Sequence, residues 1–235
     1  KSQKLRDSLQ QFGATIFPAV PAMLAVLLSG LASGVPCPRR AVLSAGSPLP
    51  DRTARRFREA FGVEVRPLYG TTETGGISVG LADEHRRADG AVGTAMAGVE
   101  VEVRPHSEAA GIGEGAGMLC VRSSSMMAGY LGETGIDDSV LPDGWHQTGD
   151  LARVSDDGEI QLLGRVTEVI NVSGMKVVPL EVEQVIGSCP GVIEAKVYPG
   201  RRRSGDQFVQ AALVLEAGAE PNRVRDHCVD HLVYY

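Results

Sequence analysis

The sequence has little of three things: closely spaced cysteines, aromatic residues and long apolar runs. Its four cysteines are Cys37, Cys120, Cys189 and Cys228. Their wide spacing suggests neither a zinc site nor a disulfide framework, and it predicts reduced, mostly buried thiols in a cytoplasmic protein. The longest apolar run, Pro21 to Leu28, is far shorter than the roughly 20 residues of a membrane-spanning helix. We therefore expect no membrane span.

An excess of positive charge is also missing. The 235 residues carry 23 Lys and Arg against 29 Asp and Glu, which makes a formal net charge of −6. A phosphate backbone binds to a basic surface, so this balance argues against a nucleic-acid partner. Hydrophobic residues make up 43% of the chain and charged residues 22%. These fractions are ordinary for a globular protein with a substantial core.

Helices and strands alternate in the first part of the chain. Apolar periodicity and breaker residues predict three helices and three strands in alternation, near residues 1–12, 14–17, 21–28, 41–44, 52–61 and 64–69. Asp51 is expected to be the N-cap of the third helix, and Gly62 to end it. Strands that alternate with crossover helices form a parallel sheet, so the fold class is predicted to be α/β.

The rest of the chain changes character twice. Val99 to Val103 alternates apolar and charged residues, and Met118 to Val121 follows it. These segments predict antiparallel strands of a small barrel-like subdomain or sheet. After Arg165, a few strands and two helices predict a small α+β domain. We expect two domains, residues 1–164 and 165–235, with a hinge near 165–168.

Asp150 and Arg165 lie at opposite ends of a predicted hairpin. Alternating residues on both sides of Asp157-Gly158 predict two antiparallel strands, the first of which follows a tight turn at Gly149. The hairpin would bring the carboxylate close to the guanidinium, an arrangement that suits a ribose diol. An exposed hairpin with a solvated Asp and Arg is the alternative.

Two loops follow the predicted parallel strands at their carboxyl ends, where such sheets bind ligands. They run from Ser44 to Pro48 and from Gly70 to Gly76. Their small residues allow the backbone to approach a flat ligand closely. Tyr69 offers a face for stacking on a base, and Glu73 offers an oxygen ligand for magnesium. An ordinary turn is the alternative for each loop.

The motif Pro67-Leu-Tyr-Gly-Thr-Thr-Glu-Thr-Gly-Gly76, followed by Thr148-Gly-Asp150 and then Gly164-Arg165, resembles the adenylate-forming superfamily. This superfamily includes acyl-CoA synthetases, aryl-CoA ligases, luciferases and the adenylation domains of peptide synthetases. In it, a carboxylic acid attacks the α-phosphate of ATP to form an acyl-adenylate and pyrophosphate, and a thiol then displaces AMP. The resemblance implies that residues 1–164 belong to the large nucleotide- and acyl-binding domain, and that 165–235 are an incomplete, mobile C-terminal domain.

The resemblance also implies a role for each matching residue. Nucleotide-binding residues would be Gly46, Tyr69, Gly70, Thr71, Thr72, Asp150 and Arg165. Thr72 and Glu73 would act in catalysis, Thr72 at the α-phosphate and Glu73 as the ligand of Mg²⁺. The acyl pocket would include Ser44, Ala45, Thr74 and Gly75. The pantetheine arm of coenzyme A would pass Ser173, Gly174 and Met175, for which a plain glycine turn is the alternative.

Three hypotheses for the function stay open. The segment from Ser173 to Pro179 is more similar to acid–CoA ligases, so coenzyme A is the expected acceptor. The alternatives are an adenylation enzyme that loads a carrier-protein phosphopantetheine, and a non-catalytic AMP-binding module. The sequence identifies neither the acid nor the oligomeric state. The family's phosphate loop and catalytic lysine have no counterpart between Lys1 and Tyr235, so these 235 residues alone are expected to be inactive.

Overall fold

A computed structural model describes residues 2–29, 40–80, 90–133, 135–139, 141–203 and 205–232. Cys37 and the chain end at Tyr235, both mentioned above, lie outside these ranges. The chain divides into two compact units. Unit 1 comprises Lys1–Val99, Ser123–Met127 and Gly158–Ile160, and unit 2 comprises Glu100–Arg122, Ala128–Asp157 and Gln161–Tyr235.

Helices and parallel strands alternate at the start of unit 1, as predicted. The helices described there are α1 (Ser2–Gln11), α2 (Pro21–Leu28) and α3 (Asp51–Phe61). The strands are β1 (Ile16–Ala19), β2 (Ala41–Ser44), β3 (Val65–Thr71), β4 (Gly75–Val79) and β5 (Ala91–Ala95). β1, β2 and β3 pair in parallel, whereas β4 and β5 continue the sheet antiparallel. The predicted α/β class is confirmed, with a mixed sheet.

Apolar residues of the three helices cover one face of the parallel strands. Leu24, Leu27 and Phe57 pack with Val42 and other strand residues in one buried cluster, which places the core of unit 1 between helices and sheet. The predicted N-cap of α3 was wrong by one residue. Pro50 is the N-cap and makes no side-chain cap, while Asp51 lies in the first helical turn, where a carboxylate favours the helix dipole.

The remaining elements lie wholly or mostly in unit 2. The strands are β6 (Val99–Arg104), β7 (Gly117–Ser123), β8 (Tyr130–Gly132), β9 (Gly135–Asp137), β10 (His146–Val154), β11 (Glu159–Arg165), β12 (Ile170–Val172), β13 (Met175–Val177), β14 (Val192–Arg201) and β15 (Gln207–Leu215). The helices are α4 (Pro179–Ser188) and α5 (Pro221–His231). None of the helices in the described ranges has the length and apolarity needed to cross a membrane.

Strands β11, β10, β7 and β6 follow one another in an open row, and β8 pairs only with β9 in a separate short hairpin. The sequence predicted a small barrel-like subdomain or a sheet for this region, and over the described ranges these strands form an open sheet. β8 and β9 have three residues each, and they pair with each other rather than with either end of the row.

The last part of unit 2 is a small α+β arrangement, as predicted. Hairpins β12–β13 and β14–β15 share one core with α4 and α5. Ile170 and Val177 are fully buried in it, and Val182, Val197 and Val224 are nearly so. A short 3-10 helix, Val166–Glu168, coincides with the predicted hinge. Division of the chain at Arg165 remains a prediction, because unit 2 includes residues on both sides of it.

Candidate functional site

The loop between β3 and β4 carries Thr72, Glu73 and Thr74 at its tip. β3 and β4 pair through Gly70 with Gly76 and Thr71 with Gly75, after an irregularity at Tyr69. A Cβ atom on Gly70 would lie 2.3 Å from the carbonyl oxygen of Gly75. Only glycine allows this close approach of the two strands, so the glycine of the Tyr-Gly-Thr-Thr-Glu motif sets the shape of the loop.

Hydroxyl groups close this loop from within. Thr74 is fully buried, and its hydroxyl donates to the carbonyl of Gly75 at 3.2 Å. A hydroxyl has one proton, so in the 3.0 Å contact between the two threonine hydroxyls Thr71 is the donor. The Thr71 oxygen in turn accepts from the backbone N–H of Thr74. Thr71 therefore stabilises the turn, whereas Thr72 is exposed to solvent.

A second turn, Ser123 to Met127, holds the outer side of the loop. The backbone N–H of Met127 donates to the carbonyl of Glu73 at 2.7 Å, and the Ser125 hydroxyl donates to the carbonyl of Thr74 at 2.8 Å. Sequence reasoning assigned no role to Ser125. The partners are 51 positions apart in the chain, and no local pattern indicates such a contact.

The end of β2 forms the other predicted loop of unit 1. Ser44 is 2% exposed, and its hydroxyl has no hydrogen-bond partner among the described residues. The backbone N–H of Ala45 donates to the carbonyl of Ala19. Gly46 has a φ of +84°, in the left-handed region that favours glycine. A buried hydroxyl without a partner is uncommon in native proteins, which marks Ser44 as a group that a ligand could satisfy.

Asp150 and Arg165 do meet in unit 2, as predicted. Arg165 Nε lies 2.8 Å from Asp150 Oδ1, and Arg165 Nη2 donates to the carbonyl of Thr148 at 3.1 Å. The Asp150 side chain is only 14% exposed, against 53% for Arg165. The prediction of a hairpin is confirmed, since β10 and β11 are neighbours in the sheet.

Gly149 belongs to a bulge inside β10, although the sequence predicted a turn before the strand. The pairing of β10 with β7 shifts between Gln147 and Leu151, and Gly149 has a φ of +77°. Such a bulge changes the direction in which a strand's side chains point. The Thr148 hydroxyl stabilises it by donating to the carbonyl of Leu119 at 3.0 Å and accepting from the N–H of Asp150 at 3.1 Å.

Ser173 and Gly174 form the two-residue turn of the β12–β13 hairpin. Both have a positive φ, +52° and +94°, as the type I′ turn requires. The Asn171 side chain accepts from the N–H of Gly174 at 2.8 Å, a contact that sequence reasoning missed. Met175 follows the turn and is 45% exposed. The geometry shows a tight turn, which is compatible with both interpretations, and a contact with pantetheine stays a prediction.

The predicted residues lie in four places: the loop after β2 and the end of β3 with its loop in unit 1, and the Asp150–Arg165 pair and the β12–β13 turn in unit 2. Among the residues that the structure describes, no group of three or more His, Cys, Asp or Glu side chains could hold a metal ion. Glu73 would be a single carboxylate ligand. That donor set fits Mg²⁺ that arrives with a nucleotide, because such ions use one or two carboxylates plus the phosphates.

Comparison with known proteins decides the family. A family model described as AMP-binding enzyme matches residues 1–131. The chain belongs to the AMP-binding enzyme family. The match includes the β2 and β3 loops described above and ends before Asp150 and Arg165.

Two curated relatives of this AMP-binding family member show the range of acceptors among similar proteins. The chain is 34% identical over 220 residues to 4-coumarate–CoA ligase-like 4 of Oryza sativa subsp. japonica, covering 90% of the chain and 39% of the relative. It is 30% identical over 223 residues to the fatty acid–[acyl-carrier-protein] ligase ScoC of Streptomyces coeruleorubidus, covering 92% of the chain and 43% of the relative.

One solved structure is similar to this chain over almost its whole length. The amide bond synthetase McbA of Marinactinospora thermotolerans is 29% identical with a TM-score of 0.85, and the match covers 99% of the chain and 48% of that protein. The chain thus spans less than half the length of the proteins that it matches.

Proposed function

We propose that the whole protein, with any sequence that its reading frame adds to these 235 residues, is an acid–CoA ligase that forms AMP. A carboxylate oxygen of the acid would attack the α-phosphate of ATP and release pyrophosphate. The thiol of coenzyme A would then attack the acyl carbon of the adenylate and release AMP. The observation that carries this proposal is the Asp150–Arg165 pair at 2.8 Å, which offers a nearly buried carboxylate to a ribose diol.

The residues of unit 1 would hold the rest of the nucleotide and the acid. Tyr69 would stack on the base, with Gly46, Gly70 and Thr71 shaping the backbone around it. Thr72, whose hydroxyl is exposed, would donate to the α-phosphate. Bound Mg²⁺ would neutralise charge on the phosphates, and Glu73 would orient it through one carboxylate. Ser44, Ala45, Thr74 and Gly75 would border the acyl group.

Thioester formation would involve the C-terminal part. The proposed boundary lies at 165–168, and residues 165–235 would reorient there between the two half-reactions. In the second half-reaction, the exposed β12–β13 turn of Ser173, Gly174 and Met175 would lie beside the pantetheine arm. One of the two turn residues is glycine, so little side-chain volume would obstruct the passage of the arm.

Loading of a carrier protein is the second candidate, and one observation favours it. The relative from Streptomyces coeruleorubidus carries the name of an acyl-carrier-protein ligase and covers 92% of the chain. Both candidates share the adenylation step and differ only in the thiol. AMP release that requires free coenzyme A supports the first, and release that requires a phosphopantetheinylated carrier supports the second.

The decisive experiment is acid-dependent exchange of pyrophosphate into ATP by the full-length protein, tested with fatty, aryl and amino acids. We expect exchange with one class of acid and its loss in Asp150→Ala. Asp156→Ala is the matched control, because Asp156 is an exposed carboxylate on the same hairpin. AMP binding without exchange for any acid would instead support the non-catalytic module. The 235-residue chain run in parallel should show no exchange.

A further inference from the structure

The turn from Ser123 to Met127 contacts the β3–β4 loop at Glu73 and Thr74, and the function proposed above does not involve this contact. Within unit 1, the turn bonds to two successive carbonyl groups of the loop. Met127 N–H donates to the carbonyl of Glu73 at 2.7 Å, and Ser125 Oγ donates to that of Thr74 at 2.8 Å. A Cβ atom on Gly75 would lie 3.3 Å from Ser125 Oγ. Turn and loop are therefore closely packed.

The hydrogen bonds of this turn have a defined direction. A carbonyl oxygen only accepts, so the single proton of the Ser125 hydroxyl goes to Thr74. In the 3.0 Å contact between the hydroxyls of Ser123 and Ser125, the donor is consequently Ser123. The Ser123 oxygen also accepts from the N–H of Ser125 at 3.3 Å. A directed chain thus runs from Ser123 through Ser125 to the loop.

Thr74, at the tip of the loop, is held by hydrogen bonds on two sides. On the inner side, Thr74 bonds to Thr71 and Gly75 through its own hydroxyl and N–H. On the outer side, Ser125 is the side chain that reaches the Thr74 carbonyl. Glu73 lies between Thr72 and Thr74, so a backbone shift at Thr74 also moves the Glu73 carboxylate. Metal ligands require placement within about 0.5 Å.

We propose that Ser125 is a positioning residue, which holds the Glu73 backbone where its carboxylate can orient the Mg²⁺ of a bound nucleotide. The proposal rests on the proposed function for the role of Glu73. In this role Ser125 acts through the Thr74 carbonyl, to which it donates, and not as a ligand of the metal. Because Ser125 is exposed and the Met127 bond is made by the backbone, removal of the hydroxyl should leave the protein folded.

The test compares three variants of the full-length protein. Ser125→Ala removes the hydroxyl, Ser125→Thr keeps it, and Ser124→Ala removes the hydroxyl of the exposed neighbouring serine. Two measurements apply without turnover. Hydrogen exchange reports the opening of residues 69–79 in protein free of nucleotide and metal, and electron paramagnetic resonance reports the affinity for Mn²⁺ in the presence of ATP.

We expect Ser125→Ala to exchange the loop amides about three- to tenfold faster and to bind Mn²⁺ about three- to tenfold more weakly, as the loss of one hydrogen bond predicts. Ser125→Thr should restore both values, and Ser124→Ala should match the wild type. With a responsive acid, the Mg²⁺ concentration for half-maximal pyrophosphate exchange should rise by a similar factor in Ser125→Ala, while the rate at saturating Mg²⁺ changes little.

Three results would overturn the proposal. These are unchanged Mn²⁺ affinity in Ser125→Ala, failure of Ser125→Thr to restore it, or no ATP-dependent Mn²⁺ binding by the wild type. Failure of the proposed function looks different. In that case no acid supports pyrophosphate exchange, yet Mn²⁺ binding with ATP still weakens in Ser125→Ala and recovers in Ser125→Thr.

Discussion

Replacement of Thr148 by valine should destabilise the protein more than any exposed Thr-to-Val change, because Thr148 completes the hydrogen bonding of the β10 bulge. The paired positions on β7 and β10 are Cys120 with Gln147 and Met118 with Leu151. Leu119 lies between them, opposite the bulge. The Thr148 hydroxyl takes the place of a strand partner by donating to the carbonyl of Leu119, a residue that is fully buried.

The magnitude follows from the two bonds that valine cannot make. A buried carbonyl left without a partner costs about 1–3 kcal/mol. The N–H of Asp150 is half-buried and also loses its acceptor, at a cost of about 1 kcal/mol. Because valine has the shape of threonine, the cavity contribution is small. We expect a loss of about 2–4 kcal/mol in the free energy of unfolding, or about 4–16 °C in Tm for a chain of this length.

Urea unfolding followed by circular dichroism measures this loss. Thr94→Val is the matched control, since Thr94 lies on β5 and is exposed, and it should change stability by at most about 0.5 kcal/mol. Thr148→Ser keeps the hydroxyl and should lose only about 1 kcal/mol, for the buried methyl group. Equal midpoints for Thr148→Val and Thr94→Val would refute the reasoning that the hydroxyl supports the bulge.

Further changes test other parts of the structure. Gly174→Ala should cost about 1–2 kcal/mol in urea unfolding, because alanine is strained at a φ of +94°; unchanged stability would contradict the type I′ turn. His146→Leu should add about 1 kcal/mol, because Nδ1 of this buried histidine has no partner among the described residues; a loss would mean that the ring is satisfied. A double-mutant cycle of Glu108→Gln and Lys176→Met, half-buried partners 2.7 Å apart, should give a coupling of about 0.5–1 kcal/mol that falls in high salt. Burial raises the pKa of the Cys120 thiol, so stability should fall as pH rises from the unfolded thiol's value through this raised value, and a Cys120→Ala variant should lose that dependence.

The α/β start of the chain could be predicted because its signals are local. Apolar periodicity identified the helix Pro21–Leu28 and the strand Ala41–Ser44 with the bounds that the structure has. Gly62 ends α3 with a left-handed φ of +65°, as a glycine after a helix predicts. The Asp51 cap failed because the helix begins one residue earlier: the carbonyl of Pro50, whose own backbone is extended, accepts from the N–H groups of Thr53 and Ala54.

In the Thr-Gly-Asp segment, the local sequence does not determine whether the backbone forms a turn or a bulge. A glycine before an aspartate indicates a left-handed residue, and Gly149 has one. Whether that residue makes a turn or a bulge depends on the neighbouring strand, since the same φ fits both. Here β7 continues past the segment and pairs on both sides of it, so the strand does not turn. Only the partner strand carries that information.

The sequence by itself determined the types of the elements from α1 to β3, the hairpin that joins Asp150 to Arg165, and the motifs that indicate the family. Each of these depends on residues within one turn, one strand or one short motif, where steric and hydrophobic preferences act locally. The tertiary structure alone decided that β10 bulges at Gly149, that the later strands form an open row, and that Ser125 reaches Thr74. These features arise from hydrogen bonds between segments far apart in the chain. No local sequence pattern indicates which distant backbone groups will pair.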